Sequence, residues 1–209
     1  MTRSDLADIP MTWSALKMMA LCPAKVRHVA LQPDGGEQTL AMRMGSGLAA
    51  IVLGTPWSYY PDIRRGKAWD AHREAVEAAH GPRAPILNER ERDLALAMAQ
   101  ALRDDPVANP ILFARGVEFE QPMEWEVNGR AYRTRGVDFR NRSAKYIGEL
   151  KQARTVQPGR FERDQLRALY PAQVELYDEG DAIVTGRDRK VDPFRKYIVG
   201  VEPTPPHVV

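Results

Sequence analysis

Gly136-Val137-Asp138-Phe139-Arg140, followed after a short break by Tyr146-Ile147-Gly148-Glu149-Leu150-Lys151-Gln152, is the stretch around which the rest of the chain is arranged. Both runs alternate in the manner of strands, and a turn near Asn141-Arg142-Ser143 folds one back on the other. That turn sets Asp138 opposite Glu149. Strand alternation keeps Glu149 and Lys151 on one face, ~7 Å apart along the chain. Two carboxylates and an ammonium converging on one spot are costly to bury without a partner, and a divalent metal held by the carboxylates would supply one.

Upstream, Glu118 to Val127, Asn128-Gly129 and Arg130 to Arg140 read as a hairpin, because Asn-Gly is the strongest short hairpin signal. Ala144 to Gln152 makes the third strand of a meander. Downstream, Gln157-Pro158-Gly159 precedes a helix from Arg160 to Leu169. Pro171 restarts a helix through Tyr177 that stops by Gly180. Ala182-Ile183-Val184 and Lys196 to Val201 read as two further strands. The expectation is one α/β domain over residues 1–209. Residues 1–110 would be mainly helical, and residues 111–209 a βββαβ core with a mixed central sheet flanked by helices.

The N-terminal half carries helix signals. Thr12 can cap a helix through Met19, Pro23 starts a basic segment to about Leu31 (Lys25, Arg27, His28), and Gln32 to Gly36 is a turn. A third helix covers Thr39 to Leu53, with the small run Gly45-Ser46-Gly47-Leu48-Ala49-Ala50 open to close packing. Gly54 to Pro61 reads as an aromatic loop, leading to the basic cluster Arg64-Arg65-Gly66-Lys67. That cluster has two readings, a phosphate-contacting segment or an ordinary surface loop. A helix from Trp69 to His80 follows. Pro82 to Leu87 links to a helix capped by Asn88, whose core face is Leu94, Met98 and Leu102.

Composition excludes several classes. Hydrophobic content is 44% and charged content 28%, as in ordinary globular proteins. No apolar run reaches the ~18 residues of a membrane span. The start of the chain is acidic and broken by proline, unlike a secretory signal. The single cysteine, Cys22, allows no internal disulfide, and the four histidines lack zinc-ligand spacing. A cytoplasmic protein is expected. Arginines far outnumber lysines, which favours bidentate phosphate contact but also follows from codon bias.

The order of elements and several motifs resemble the PD-(D/E)xK nuclease superfamily, with its restriction-endonuclease-like core. Gly136-Val137-Asp138 is similar to the motif carrying the first acid, Glu149-Leu150-Lys151 to the (D/E)xK tripeptide, and Gln173-Val174-Glu175-Leu176-Tyr177 to the QxxxY motif. Ser14-Ala15-Leu16 with Cys22-Pro23-Ala24-Lys25, Arg65 to Trp69, and Val201 to Pro206 are similar to further segments. Within the superfamily the chain resembles the phage-type recombination exonucleases of the exodeoxyribonuclease VIII (RecE) kind, with lambda exonuclease and RecB-type nuclease domains further off.

That resemblance implies a Mg²⁺- or Mn²⁺-dependent deoxyribonuclease, a 5′→3′ exonuclease on double-stranded DNA ends that acts in phage-type recombination. Asp138, Glu149 and the Leu150 carbonyl would ligate the metal, with Glu118 as a further acid; Glu120 competes for that place. Lys151 would act on the attacking water, and Gln173 and Tyr177 would sit beside the site. Arg64, Arg65, Lys67, Arg133, Arg135 and Arg140 are the expected DNA contacts, with Arg130, Arg142 and Lys145 in the same charged region. The implied partners are duplex ends, a single-strand annealing protein and further copies in a ring, with no membrane. The implied location is the bacterial host cytoplasm. Two departures stand out. Ala49 occupies the place where many members carry a metal-reaching histidine, and the first acid follows Gly-Val rather than Pro. Relatives continue into a C-terminal helical segment, so a short form reaching Val209 is expected. Alternatives are an endonuclease or single-strand nuclease of the superfamily, a non-catalytic DNA-binding module that keeps the fold, and a metal enzyme on another phosphate.

Overall fold

Asn128 and Gly129 both take positive φ, 52° and 73°, as a two-residue hairpin turn demands. They set the pairing of Val127 with Arg130 and of Glu118 with Arg140. This hairpin belongs to a computed structural model that describes residues 10–21, 40–82 and 84–209, apart from the side chains of Leu21 and Arg135. The expected helix over Pro23 to Leu31, the turn at Gln32 to Gly36, and Cys22 lie outside the described residues. The chain divides into two compact units, one built from residues 1–36, 118–149 and 162–198, the other from 37–117, 150–161 and 199–209.

The first unit holds the helix α1 (Trp13–Leu21), most of the sheet and the helices that follow it. The Ala15 amide donates to Thr12 Oγ1 at 3.3 Å, so Thr12 caps α1 as its sequence implies. The Glu118–Val127 and Arg130–Asn141 strands pair antiparallel, and Arg130–Asn141 pairs antiparallel with Tyr146–Gln152. The last strand, Arg195–Val201, completes a four-stranded sheet beside Tyr146–Gln152. The Arg195 amide donates to the Lys145 carbonyl and the Ala153 amide to the Val201 carbonyl. The partners ascend together, so this last pair is parallel and the sheet is mixed, as expected.

The helical connection differs from the sequence reading. Pro158–Arg167 forms one helix, and the next runs from Tyr170 through Thr185. Ala182-Ile183-Val184, read as a strand, is the last turn of that helix. A short apolar run cannot be told from buried helix by periodicity alone. Gly180, read as a stop, is an interior glycine. A Cβ there would lie 2.9 Å from the Trp125 ring, so close approach selects the glycine. The true stop is Gly186, at φ 70°. Trp125, Met123, Val137, Ile147, Val174, Tyr177 and Phe194 form the core of this unit.

In the second unit a helix over Leu40–Leu53 packs on a helix over Glu89–Asp104. Gly47 is the contact point: a Cβ there would come 2.7 Å from a Leu87 methyl, whereas Gly45 has open space around it. Ser58–Tyr59, expected in a loop, pairs in parallel with Ile86–Leu87, expected in a linker. Lys67–His80 is helical and begins earlier than expected, and Ala108–Leu112 is an unexpected short helix. Asn88 and Glu91 form a reciprocal capping box. Met98 and Leu102 are buried as the spacing implies, and Leu94 is half-buried.

Candidate functional site

A β-bulge sets the first acid. Gln121 faces Val137 and Met123 faces Thr134, so the Arg130–Asn141 strand carries one residue more than its partner in between. Gly136 lies in this bulge. A Cβ on it would meet Glu120 Oε2 at 2.5 Å, so the Glu120 carboxylate rests directly over the glycine. Glu120 itself holds φ 50°, a left-handed angle that a non-glycine residue adopts only when its surroundings enforce it. Asp138 follows between the fully buried Val137 and Phe139 and is itself half-buried.

Glu149 lies in the neighbouring strand and is 1% exposed. Gly148 precedes it and faces Phe139, where a Cβ would come 2.4 Å from the ring and 2.5 Å from the Tyr197 carbonyl. The Tyr170–Thr185 helix brings Gln173 and Tyr177 to one face at i, i+4 spacing. The Gln173 side-chain amide donates to Glu149 Oε1 and to the Tyr177 hydroxyl, at 3.0 Å each.

The phenol reports on the charges around it. Burial raises the Tyr177 pKa, the Glu149 charge raises it further, and the Asp138 charge adds a smaller push. Hydrogen bonds from Thr134 and Gln173 act the other way without cancelling the rise. Gln173 is thus joined by hydrogen bonds to Glu149 and Tyr177, and Asp138 and Glu149 each lie one residue beyond the Phe139–Gly148 pair on neighbouring strands. Lys151 follows Glu149 by two residues in the same strand and is half-buried, and Leu150 between them is buried.

Several expected roles change. Glu118 accepts from Arg140 Nε at 2.7 Å, so its carboxylate is committed to an ion pair. The carboxylate over Gly136, next to the Asp138 segment, is that of Glu120. Arg140, expected on DNA, is buried at 5% exposure and also donates to Asp181 Oδ1 at 3.0 Å. A guanidinium held by two acids below the surface is unavailable to phosphate. Arg64, also expected on DNA, is bonded to Glu91 and to the Ile86 carbonyl. Arg65, Lys67 and Arg133 are exposed. The Arg135 side chain lies outside the described residues. Ala49 is a half-buried helix residue with no atom able to ligate a metal.

The sequence reading missed the two buried aspartates Asp178 and Asp181. Asp181 receives Arg140 and Arg142, and Asp178 receives Arg187, Arg189 and Lys196. Helical spacing continues Gln173 and Tyr177 to Asp181, a signal hidden by reading Gly180 as a terminator.

Asp138 and Glu149 suit a small hard cation. Among the described residues no group of three or more His, Cys, Asp or Glu side chains is arranged to hold a metal ion. A pair of carboxylates is what Mg²⁺ ordinarily takes from a protein, the other positions being filled by water and substrate phosphate.

No protein-family model matches the chain, and no curated protein matches it. Among solved structures, the chain is similar in fold to a "putative exonuclease" from Eubacterium rectale. The two share 14% identity with a TM-score of 0.60, over 99% of this chain and 75% of the other. No helix of the described residues is long and apolar enough to cross a membrane.

Proposed function

We propose that the chain is a metal-dependent nuclease that hydrolyses DNA phosphodiester bonds, with Asp138 and Glu149 holding Mg²⁺ or Mn²⁺. The observation that carries this reading is the placement of Asp138 and buried Glu149 one residue beyond the Phe139–Gly148 pair on neighbouring strands, with Gln173 bonded to Glu149 and to Tyr177. The fold likeness to a protein named as an exonuclease agrees with it. The Leu150 carbonyl would be the third protein ligand, and Glu118, paired with Arg140, would not be one. When bound, the metal polarises the scissile phosphate and acidifies an attacking water. Lys151 orients that water and offsets the negative charge that builds on phosphorus. Gln173 fixes the Glu149 carboxylate in rotation by donating to Oε1. Tyr177, its pKa raised, stays protonated through the neutral range.

The finer reading follows the family resemblance. The substrate is a double-stranded DNA end, degraded 5′→3′ to leave a 3′ strand for an annealing protein in phage-type recombination, with a ring of copies as the processive form. Linear duplex labelled on either strand end, incubated with and without Mg²⁺, tests it alongside Lys151→Ala and Asp138→Asn. Cleavage of the 5′-ended strand by the parent alone, and only with metal, is expected. Loss of closed circular DNA would move the reading to an endonuclease, and preference for single strands to a single-strand nuclease. A parent inert with every divalent metal that still binds DNA would make the chain a non-catalytic binding module.

A further inference from the structure

The Tyr170–Thr185 helix carries Gln173, Tyr177 and Asp181 at i, i+4 and i+8, one stripe along its length. At one end of the stripe Gln173 donates to Glu149 Oε1 at 3.0 Å. At the other, Asp181 Oδ1 accepts from Arg140 Nη1 and from Arg142 Nη2, at 3.0 Å each. Arg140 Nε donates in turn to Glu118 Oε2 at 2.7 Å, so one guanidinium joins two strands and the helix. Asp181 is wholly buried and Arg140 nearly so. Phe139 pairs with Gly148 and Arg140 with Ile147. Alternation from those pairs puts Asp138, Arg140, Ile147 and Glu149 on one face of the sheet, the face to which the helix is bonded. The two acids therefore lie between two anchors on one helix. Gln173 holds Glu149 itself, and Asp181 holds the other strand two residues past Asp138. A buried ion pair adds little net stability over apolar side chains of similar volume. What it does supply is directed contact of fixed length between two elements.

We propose that Arg140 and Asp181 are positioning residues of the acidic centre. Their ion pair fixes the Asp138 strand against the helix whose Gln173 fixes Glu149, and so sets the separation of the two carboxylates. The catalytic consequence rests on the nuclease reading, but the positioning itself does not. Groups that orient metal ligands are worth ~10–100-fold in metal affinity or activity.

The test uses Arg140→Met combined with Asp181→Leu, which removes both buried charges together. It leaves Arg142 and Glu118, 41% and 40% exposed, to water. Replacing a whole buried pair by apolar side chains is commonly neutral for stability, so a merely structural pair would give a folded variant with the metal affinity of the parent. The expected result is a melting temperature near the parent's with Mn²⁺ affinity, by titration, weakened ~10-fold or more. Crystal structures of metal-free parent and variant should show the Asp138 Cγ to Glu149 Cδ separation changed by ~1 Å, a misplacement that costs ~100-fold in rate. Arg140→Lys keeps the buried cation but loses the fork that spans two acids. It should act in the same direction by less, and serves if the double variant does not fold. A separation equal to the parent's overturns the proposal, as does a Mn²⁺ affinity equal to that of a parent that binds the metal. A parent that neither binds Mn²⁺ nor cuts linear duplex overturns the nuclease reading instead, and the carboxylate separation alone then upholds or overturns the positioning.

Discussion

Arg64→Ala should cost stability rather than DNA affinity. Glu91 has a side chain only 3% exposed and accepts from Arg64 Nη1 at 3.0 Å, from Arg43 Nε at 3.3 Å and from the Asn88 amide at 3.0 Å. Removing one partner of a buried ion pair costs ~3–5 kcal/mol. Here Arg64 is 20% and Arg43 30% exposed, and both Arg43 and Asn88 remain, so ~2–3 kcal/mol is the reasoned loss. For a chain of this size that lowers the melting temperature by roughly 5–10 °C. Glu91→Gln keeps the capping box and removes only the charge, and should lose less.

The acid limb gives a second check. Burial works to raise the Glu91 pKa, but the bonds from Arg64, Asn88 and Arg43 outweigh it and hold the carboxyl below its ordinary 4.5. Its folded value is depressed, so the stabilisation is complete above the unfolded value and is lost as pH falls through the lowered one. The gap between the parent and Glu91→Gln in urea melts should therefore narrow as pH drops below that range. The reasoning is refuted if Arg64→Ala melts within about 0.5 kcal/mol of the parent while losing DNA affinity in a salt-dependent way. That result would return Arg64 to the phosphate contacts.

Two further outcomes follow from exposure and close approach. Arg65→Ala and Lys67→Ala should leave the melt unchanged and each reduce the slope of log affinity for duplex DNA against log salt by about 0.9, measured by fluorescence anisotropy; unchanged slopes would remove both from the interface. Gly148→Ala drives a Cβ against the Tyr197 backbone carbonyl and should cost ~3 kcal/mol. Gly47→Ala meets side-chain rather than backbone atoms, the two Leu87 methyls at 2.7 and 3.0 Å, and regains ~1 kcal/mol of helix propensity, so it should cost less than Gly148→Ala. Equal urea midpoints for the two variants would refute the packing account.

Local signals were read where they are self-contained. Asn128-Gly129 needs only two left-handed residues, Asn88 with Glu91 needs only its own helix, and the Gln173–Tyr177 pair follows from the helical repeat. Signals that depend on a distant partner were misread. Gly180 looked like a terminator because Trp125, which selects it, is far away in sequence. Arg64 and Arg140 looked like free cations because Glu91, Glu118 and Asp181 meet them only after folding.

By itself the sequence determined the meander, the order of its strands, the capped helices and the i, i+4 pairing of Gln173 with Tyr177. Those features rest on periodicity and turn chemistry, which act over a few residues. The tertiary structure alone decided which charges are spent inside the protein and which carboxylate lies over Gly136. A bulge of one residue seats Glu120 over Gly136 and leaves Glu118 with Arg140. That choice depends on cross-strand register, which no local pattern encodes.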